Sequence, residues 1–181
     1  MTDQDRTRWD ERYQARGAPS VQSVGPPSAF AAFEDMFPTT GHALELACGA
    51  GAASVWLARR GMTVHGVDIS GVAVDQARDL AARTGVGDNC RFDVVDLDDG
   101  LPAGPPADVI LCNRFRDPRL DRAILDRLAP GGLFAITALS EVGAAPGRFR
   151  AEPGELTAAF APLKVIAAGE GDGEAWLLAR S

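Results

Sequence analysis

Apolar positions recur along this chain in two periods. Runs at 43–47, 62–67, 90–95, 107–112, 133–139, 163–168 and 174–179 are short, rich in Val, Ile, Leu and Ala, and bounded by Gly, Pro, Asp or Asn, which reads as strands. Between the earlier runs the spacing changes to that of a helix: Val55 to Ala58, then Val72, Val74, Ala77, Leu80 and Ala81, then Leu120 to Leu128. Strands alternating with helices predict an α/β domain with a mainly parallel sheet. The run Ala107 to Cys112 is almost wholly apolar, as suits a strand buried on both faces beside the first. The last two runs lack an intervening helix; the glycine-rich stretch Gly169 to Gly173 joins them, which predicts an antiparallel hairpin closing the sheet. A dinucleotide-binding domain would continue instead with a helix and a parallel sixth strand.

Before the first strand, residues 2–16 are polar and helix-compatible, with Trp9 and Tyr13 four apart on one face. A Gly/Pro/Ser loop follows, and Ser28 is expected to cap a short helix carrying Phe30, Phe33, Met36 and Phe37 toward the core. Ser70 is expected to cap the helix that begins at Gly71.

Composition narrows the picture. A chain of 181 residues fits a single domain able to bury its own core. Its net charge of −7 and pI near 4.8 oppose binding to a phosphate backbone, so the expected partner is a small molecule and no nucleic acid. Cys48, Cys90 and Cys112 are scattered without paired spacing, as expected of buried thiols, and no metal-ligand spacing is present. The first residues are charged, and no stretch approaches the ~20 apolar residues of a spanning helix. The expected location is the cytoplasm, without membrane contact, as monomer or homodimer.

The stretch Ala43 to Ser70 carries the chemistry. A strand ends in the small-residue turn Cys48-Gly49-Ala50-Gly51, a helix follows at once, and the second strand ends on Asp68. Glycines admit a ligand close to the backbone, and the free N–H groups opening the helix supply donors and a positive dipole. A carboxylate at the next strand tip accepts the hydroxyls of a ribose. This is a nucleoside-cofactor site. As a dinucleotide turn the match is weak, because Ser54 stands in the third glycine place.

Glu45-Leu46-Ala47-Cys48-Gly49-Ala50-Gly51 resembles the E/D-x-G-x-G-x-G signature of class I S-adenosylmethionine-dependent methyltransferases, with Ala47 where the first Gly is usual. A carboxylate at Glu45 repels a pyrophosphate but suits a ligand with a sulfonium and an α-ammonium group. The resemblance implies a Rossmann-like fold, α/β with a mostly parallel seven-stranded sheet, a C-terminal antiparallel hairpin and helices on both faces. It also implies S-adenosylmethionine as cofactor, bound by Glu45, Ala47, Gly49, Gly51, Asp68, Ile69, Asp96, Leu97 and Asn113. Ile69 would flank the adenine, Asp96 would accept from its amino group, and Leu97 would offer a backbone N–H; Asp98 or Asp99 offers an alternative acceptor.

Trp9-Asp10-Glu11-Arg12-Tyr13 is similar to a W-D-x-R-Y opening that leads into a lid in this family, which divides the single domain 1–181 into a helical lid region (1–40) and a cofactor-binding core (41–181). The alternative is a helix that pins its aromatic face to the core. Pro130-Gly131-Gly132 before a strand is a further family feature. The segment Arg148-Phe149-Arg150-Ala151-Glu152-Pro153-Gly154-Glu155-Leu156, with Phe160, resembles small methyltransferases of the tellurite-resistance type. After the fourth strand there is no N-P-P-Y or D-P-P-Y clamp, which argues against amide and base-amine methylation.

Methyl transfer from a sulfonium is an in-line displacement of an activated leaving group, so the protein mainly aligns and excludes water. A thiolate, chalcogen anion or phenolate needs little proton removal, whereas a neutral alcohol or amine needs a base. Candidate catalytic groups are Glu141, at the tip of the fifth strand, and Asn113 and Arg114, though Glu141 also reads as solvated and Arg114 as a surface ion-pair partner. Trp9, Tyr13, Phe115 and Arg148 are candidates for substrate or lid contacts. His42 and His65 sit away from the ligand edge. The expected activity is methyl transfer to sulfur, oxygen, nitrogen or a metalloid oxyanion of a small molecule; the alternatives are an NAD-dependent oxidoreductase and a non-catalytic S-adenosylmethionine-binding protein.

Overall fold

A computed structural model describes residues 3–147 and 150–181. Its strands are β1 (His42–Leu46), β2 (Thr63–Asp68), β3 (Cys90–Val94), β4 (Ala107–Cys112), β5 (Leu128–Ser140), β6 (Arg150–Ala151), β7 (Lys164–Gly171) and β8 (Glu174–Arg180). The helices are α1 (Asp3–Arg16), α2 (Ala52–Arg59), α3 (Gly71–Arg83), α4 (Asp121–Arg127) and α5 (Glu155–Ala159).

Seven strands lie in the order β3-β2-β1-β4-β5-β8-β7, and the two-residue β6 pairs with the end of β5. All pairings from β3 to β5 are parallel; β8 is antiparallel to both β5 and β7. The chain winds outward from β1 through β2 to β3, then crosses to β4 on the other side. That reversal opens a crevice at the carboxyl ends of β1 and β4, where open α/β sheets hold ligands.

Alternation along the strands builds the two faces. Leu44, Leu46, Ile110, Phe134 and Ile136 join α4 and α5 residues on one side. Ala43, Val64, Val109, Leu111 and Leu133 meet Trp56, Leu57, Phe30 and Phe37 on the other. Phe37 packs edge-on to Trp56 with centroids 5.0 Å apart, and Phe134 lies 4.4 Å from Phe160. Among the described residues no helix is long and apolar enough to cross a membrane.

Local details differ from the sequence expectation in instructive ways. Ser28 does not cap: the segment 28–36 is built of 3₁₀ turns, the cap position falls on Pro27, and no side chain bonds there. Three-residue turns rotate Met36 out to solvent while Phe30 and Phe37 stay buried. Ser70 does cap α3, accepting from the Ala73 N–H at 3.1 Å. The hairpin turn contracts to Asp172-Gly173, both at positive φ (52° and 77°), the geometry of a two-residue primed turn. Hence Gly169 to Gly171, expected in the turn, continue β7.

Candidate cofactor and acceptor site

The turn after β1 is wound tightly. Ala47, Gly49 and Gly51 all adopt left-handed φ values of 51°, 54° and 81°. The turn is closed by Cys48 N–H donating to Val67 (2.9 Å) and Gly51 N–H donating to Cys48 (3.0 Å). The cap residue of α2 is Gly51, which has no side chain to bond; the Glu45 carboxylate takes the Ser54 N–H, and Ala52 and Ala53 at the helix start line the crevice. Ala47 carries a Cβ into a conformation that costs an L-residue about 1–2 kcal/mol, partly offset by glycine's larger unfolded-state entropy. Ala47→Gly is therefore expected to stabilise the chain by about 0.5–1 kcal/mol, read as a raised denaturant midpoint; a lower midpoint would contradict the strain.

Asp68, at the end of β2, braces this turn. One carboxylate oxygen accepts from Gly49 N–H (2.8 Å) and the other from Ser70 N–H (2.9 Å). Burial raises its pKa, opposed by those same N–H groups. Each oxygen keeps a further lone pair for a ligand. Glu45 lies deeper, buried within β1, and takes the Ser54 hydroxyl as donor. Burial pushes it up to about 8 against the pull of that bond.

Helix α1 closes the crevice from above. The Asp10 carboxylate accepts from the Ser70 hydroxyl (2.5 Å) and the Val72 N–H (3.4 Å), and the Gln76 side chain donates to the Tyr13 carbonyl (3.1 Å). Trp9 and Tyr13 stack with centroids 6.1 Å apart. The Tyr13 hydroxyl comes so close to Gly49 that a Cβ there would lie 2.5 Å away. Burial, and next the Asp68 charge, raise the Tyr13 pKa, keeping the phenol neutral.

The resulting cavity has a volume of about 480 Å³. It gathers Trp9, Tyr13, Glu45, Ala47, Gly49, Asp68, Ile69, Leu97, Asn113, Arg114 and Phe115 of the residues expected from sequence. Asn113 is oriented by the Thr137 hydroxyl (2.9 Å), which also accepts from the Arg114 N–H (2.8 Å). The Arg114 guanidinium turns away to Glu174.

Three expected residues stand elsewhere. Gly51 sits beneath the turn against Ala77. Asp96 turns a carboxylate oxygen to the Asp98 N–H (3.0 Å). Glu141 faces the following loop, where Gly147 N–H approaches it at 3.4 Å. Arg148 lies outside the described residues. The cavity also includes Arg12, Arg16, Cys48, Ala50, Ala52, Ala53 and Leu139. Arg12 and Arg16 were detectable, since positions 9, 12, 13 and 16 share one helix face; Leu139 carries no sequence signal. The Cys48 thiol is pushed well up by burial and by Glu45.

Residues 43–132 match the family described as "Methyltransferase domain". The chain is 48% identical over 46 residues, 25% of its own length and 14% of the other's, to ribosomal RNA small subunit methyltransferase C of Alcanivorax borkumensis. It spans about a third or less of the length of the curated relatives it matches. Among solved structures, the CcbJ methyltransferase of Streptomyces caelestis is similar at TM-score 0.71 and 17% identity, covering 95% of each chain. TehB of Haemophilus influenzae is similar at TM-score 0.70 and 17% identity, covering 96% of this chain and 67% of that one. With its signature turn at the reversal point of the sheet and an antiparallel pair closing the far edge, the chain belongs to the class I S-adenosylmethionine-dependent methyltransferases.

Proposed function

We propose that this chain transfers a methyl group from S-adenosylmethionine to a small-molecule acceptor. The observation that carries the reading is the 480 Å³ cavity roofed by α1, which lies in the range of about 300–1,000 Å³ typical of small-ligand sites. When bound, the cofactor supplies a methyl group already activated on a sulfonium.

The chain's own groups fit it. Asp68 accepts the ribose hydroxyls with its remaining lone pairs, and Ile69 and Leu97 sandwich the adenine. The start of α2 at Ala52 and Ala53 and the turn from Ala47 to Gly49 receive the amino-acid end. Glu45, mostly protonated at neutral pH in the unliganded chain, ionises toward the ligand's ammonium group, so binding releases a proton below pH 8. Trp9, Tyr13, Asn113 and Phe115 shape the acceptor side and exclude water. An overall charge of −7 disfavours an RNA acceptor.

Asp68→Ala is expected to weaken binding of S-adenosylhomocysteine by about 1–3 kcal/mol, roughly five- to 150-fold in Kd. It should also lower thermal stability, because Gly49 and Ser70 lose their acceptor. Unchanged affinity by calorimetry would mean that the ribose binds elsewhere. The activity itself is tested with methyl-tritiated S-adenosylmethionine offered thiol, phenol, carboxylate and amine acceptors alongside ribosomal RNA. Label in a small acceptor is expected; label in RNA alone would contradict the reading.

A further inference from the structure

Many arginines of this chain pair with a nearby carboxylate: Arg78 with Asp75, Arg83 with Asp79, Arg116 with Asp121 and Arg122 with Asp126. Arg12 and Arg16 differ. Both line the cavity mouth, both are exposed, and among the described residues neither has a carboxylate partner. Each guanidinium instead lies over an aromatic ring of the same helix, Arg12 at 5.0 Å from Trp9 and Arg16 at 6.0 Å from Tyr13. In a chain of net charge −7, two cations without a carboxylate partner among the described residues place positive charge at the entrance, where it attracts anions.

The cavity holds little that would ionise a neutral acceptor. Among the described lining residues there is no histidine. Asp68 has both oxygens engaged by backbone N–H groups, and Glu45 is tied to Ser54. The phenol of Tyr13 and the thiol of Cys48 are both held neutral by burial.

Resting on the methyltransferase reading above, we propose that the acceptor enters as an anion, an oxyanion or thiolate, is gathered by Arg12 and Arg16, and is methylated on its anionic atom. A lone pair on that atom forms the new bond to the methyl carbon as the carbon–sulfur bond breaks, and the pair from that bond stays on sulfur. The acceptor's negative charge and the sulfonium's positive charge both vanish, and no proton needs to be removed. The neutral product then has no claim on the two guanidiniums, which favours its release. Their place at the mouth, in contact with water, lets them steer the acceptor without quenching its nucleophilicity.

The test uses the full chain and R12Q/R16Q, with R12K/R16K as the charge-retaining control. Labelled methyl transfer is measured to 4-nitrobenzenethiolate, 4-nitrophenolate and benzoate, and to the neutral isosteres 4-nitroaniline and benzamide. Anionic acceptors are expected to be methylated at least about tenfold faster than neutral ones, with that advantage reduced in R12Q/R16Q through a raised KM for the anions and largely kept in R12K/R16K. Calorimetry with S-adenosylhomocysteine and with 5′-methylthioadenosine, which lacks the amino-acid end, runs in parallel. Equal or faster transfer to the neutral isosteres, no transfer to any anion, or an unaltered preference in R12Q/R16Q would overturn the proposal. So would a loss in R12Q/R16Q of S-adenosylhomocysteine affinity but not of methylthioadenosine affinity, which would assign the arginines to the cofactor's carboxylate. Failure of the wild-type chain to bind S-adenosylhomocysteine would instead strike the methyltransferase reading beneath it.

Discussion

Glu45→Gln is expected to make folding stability far less sensitive to alkaline pH, by about 4 kcal/mol between pH 5 and pH 9. The carboxyl moves from 4.5 to about 8 on folding, a difference worth about 1.4 kcal/mol for each unit. It holds its proton more tightly folded than unfolded. Its contribution is therefore whole below pH 4.5 and is lost as pH rises through about 8. Gln cannot ionise. It still accepts from Ser54, but its amide brings two donors to a buried position that the protonated carboxyl fills with one, a cost of about 1–3 kcal/mol. The variant should thus be the less stable protein at pH 5 and the more stable one at pH 9. Urea midpoints at the two pH values decide the matter; a parallel offset at both would show that the carboxyl is not held protonated by burial.

Gly51→Ala is expected to destabilise the chain by about 3 kcal/mol and to lower the melting temperature by roughly 6–12 °C. At φ +81° the added Cβ is strained in itself, and it would lie 2.7 Å from the Ala77 Cβ and 3.1 Å from its Cα. The second of these atoms belongs to the helix backbone, so α3 must shift as a body. That shift carries Ser70 and its bond to Asp10, loosening the hold that seats α1 over the cavity. S-adenosylhomocysteine affinity should fall with stability. Ala77→Gly in the same chain removes the Cβ clash and should recover part of the loss, leaving the cost of φ. An unchanged melting temperature would refute the close approach.

The two periods of the hydrophobic pattern made the fold legible. Strands buried on both faces, such as β4, show as unbroken apolar runs, and the absence of a helix between the last two runs announced the antiparallel pair that β7 and β8 form. What failed was local. Ser28 has the chemistry of a cap, yet the 3₁₀ geometry after Pro27 offers it no N–H to accept from. The turn at Asp172-Gly173 lay hidden within five glycine-rich residues, because flat edge strands tolerate glycine too.

The site was legible where chemistry and backbone coincide. Glu45, Gly49 and Asp68 follow from one turn and two strand tips, and the structure brings them to one cavity. Gly51 belongs to the same motif but serves packing, a distinction visible only once α3 is placed against it. The family resemblance offers Asp96 and the tip of the fifth strand offers Glu141; in the structure Asp96 accepts from the Asp98 N–H and Glu141 faces the Gly147 N–H, placements set by rotamers and turn geometry that one residue's type does not encode. Arg12 and Arg16 show the converse, since helical spacing alone sets them beside Trp9 and Tyr13.

Titration calorimetry of the purified chain with S-adenosylhomocysteine, with NAD in a matched run, bears most directly on the central claim that the crevice at the carboxyl ends of β1 and β4 receives an adenosyl sulfonium. Saturable heat with S-adenosylhomocysteine and none with NAD is the predicted result. Heat with NAD alone, or with neither compound, would contradict it.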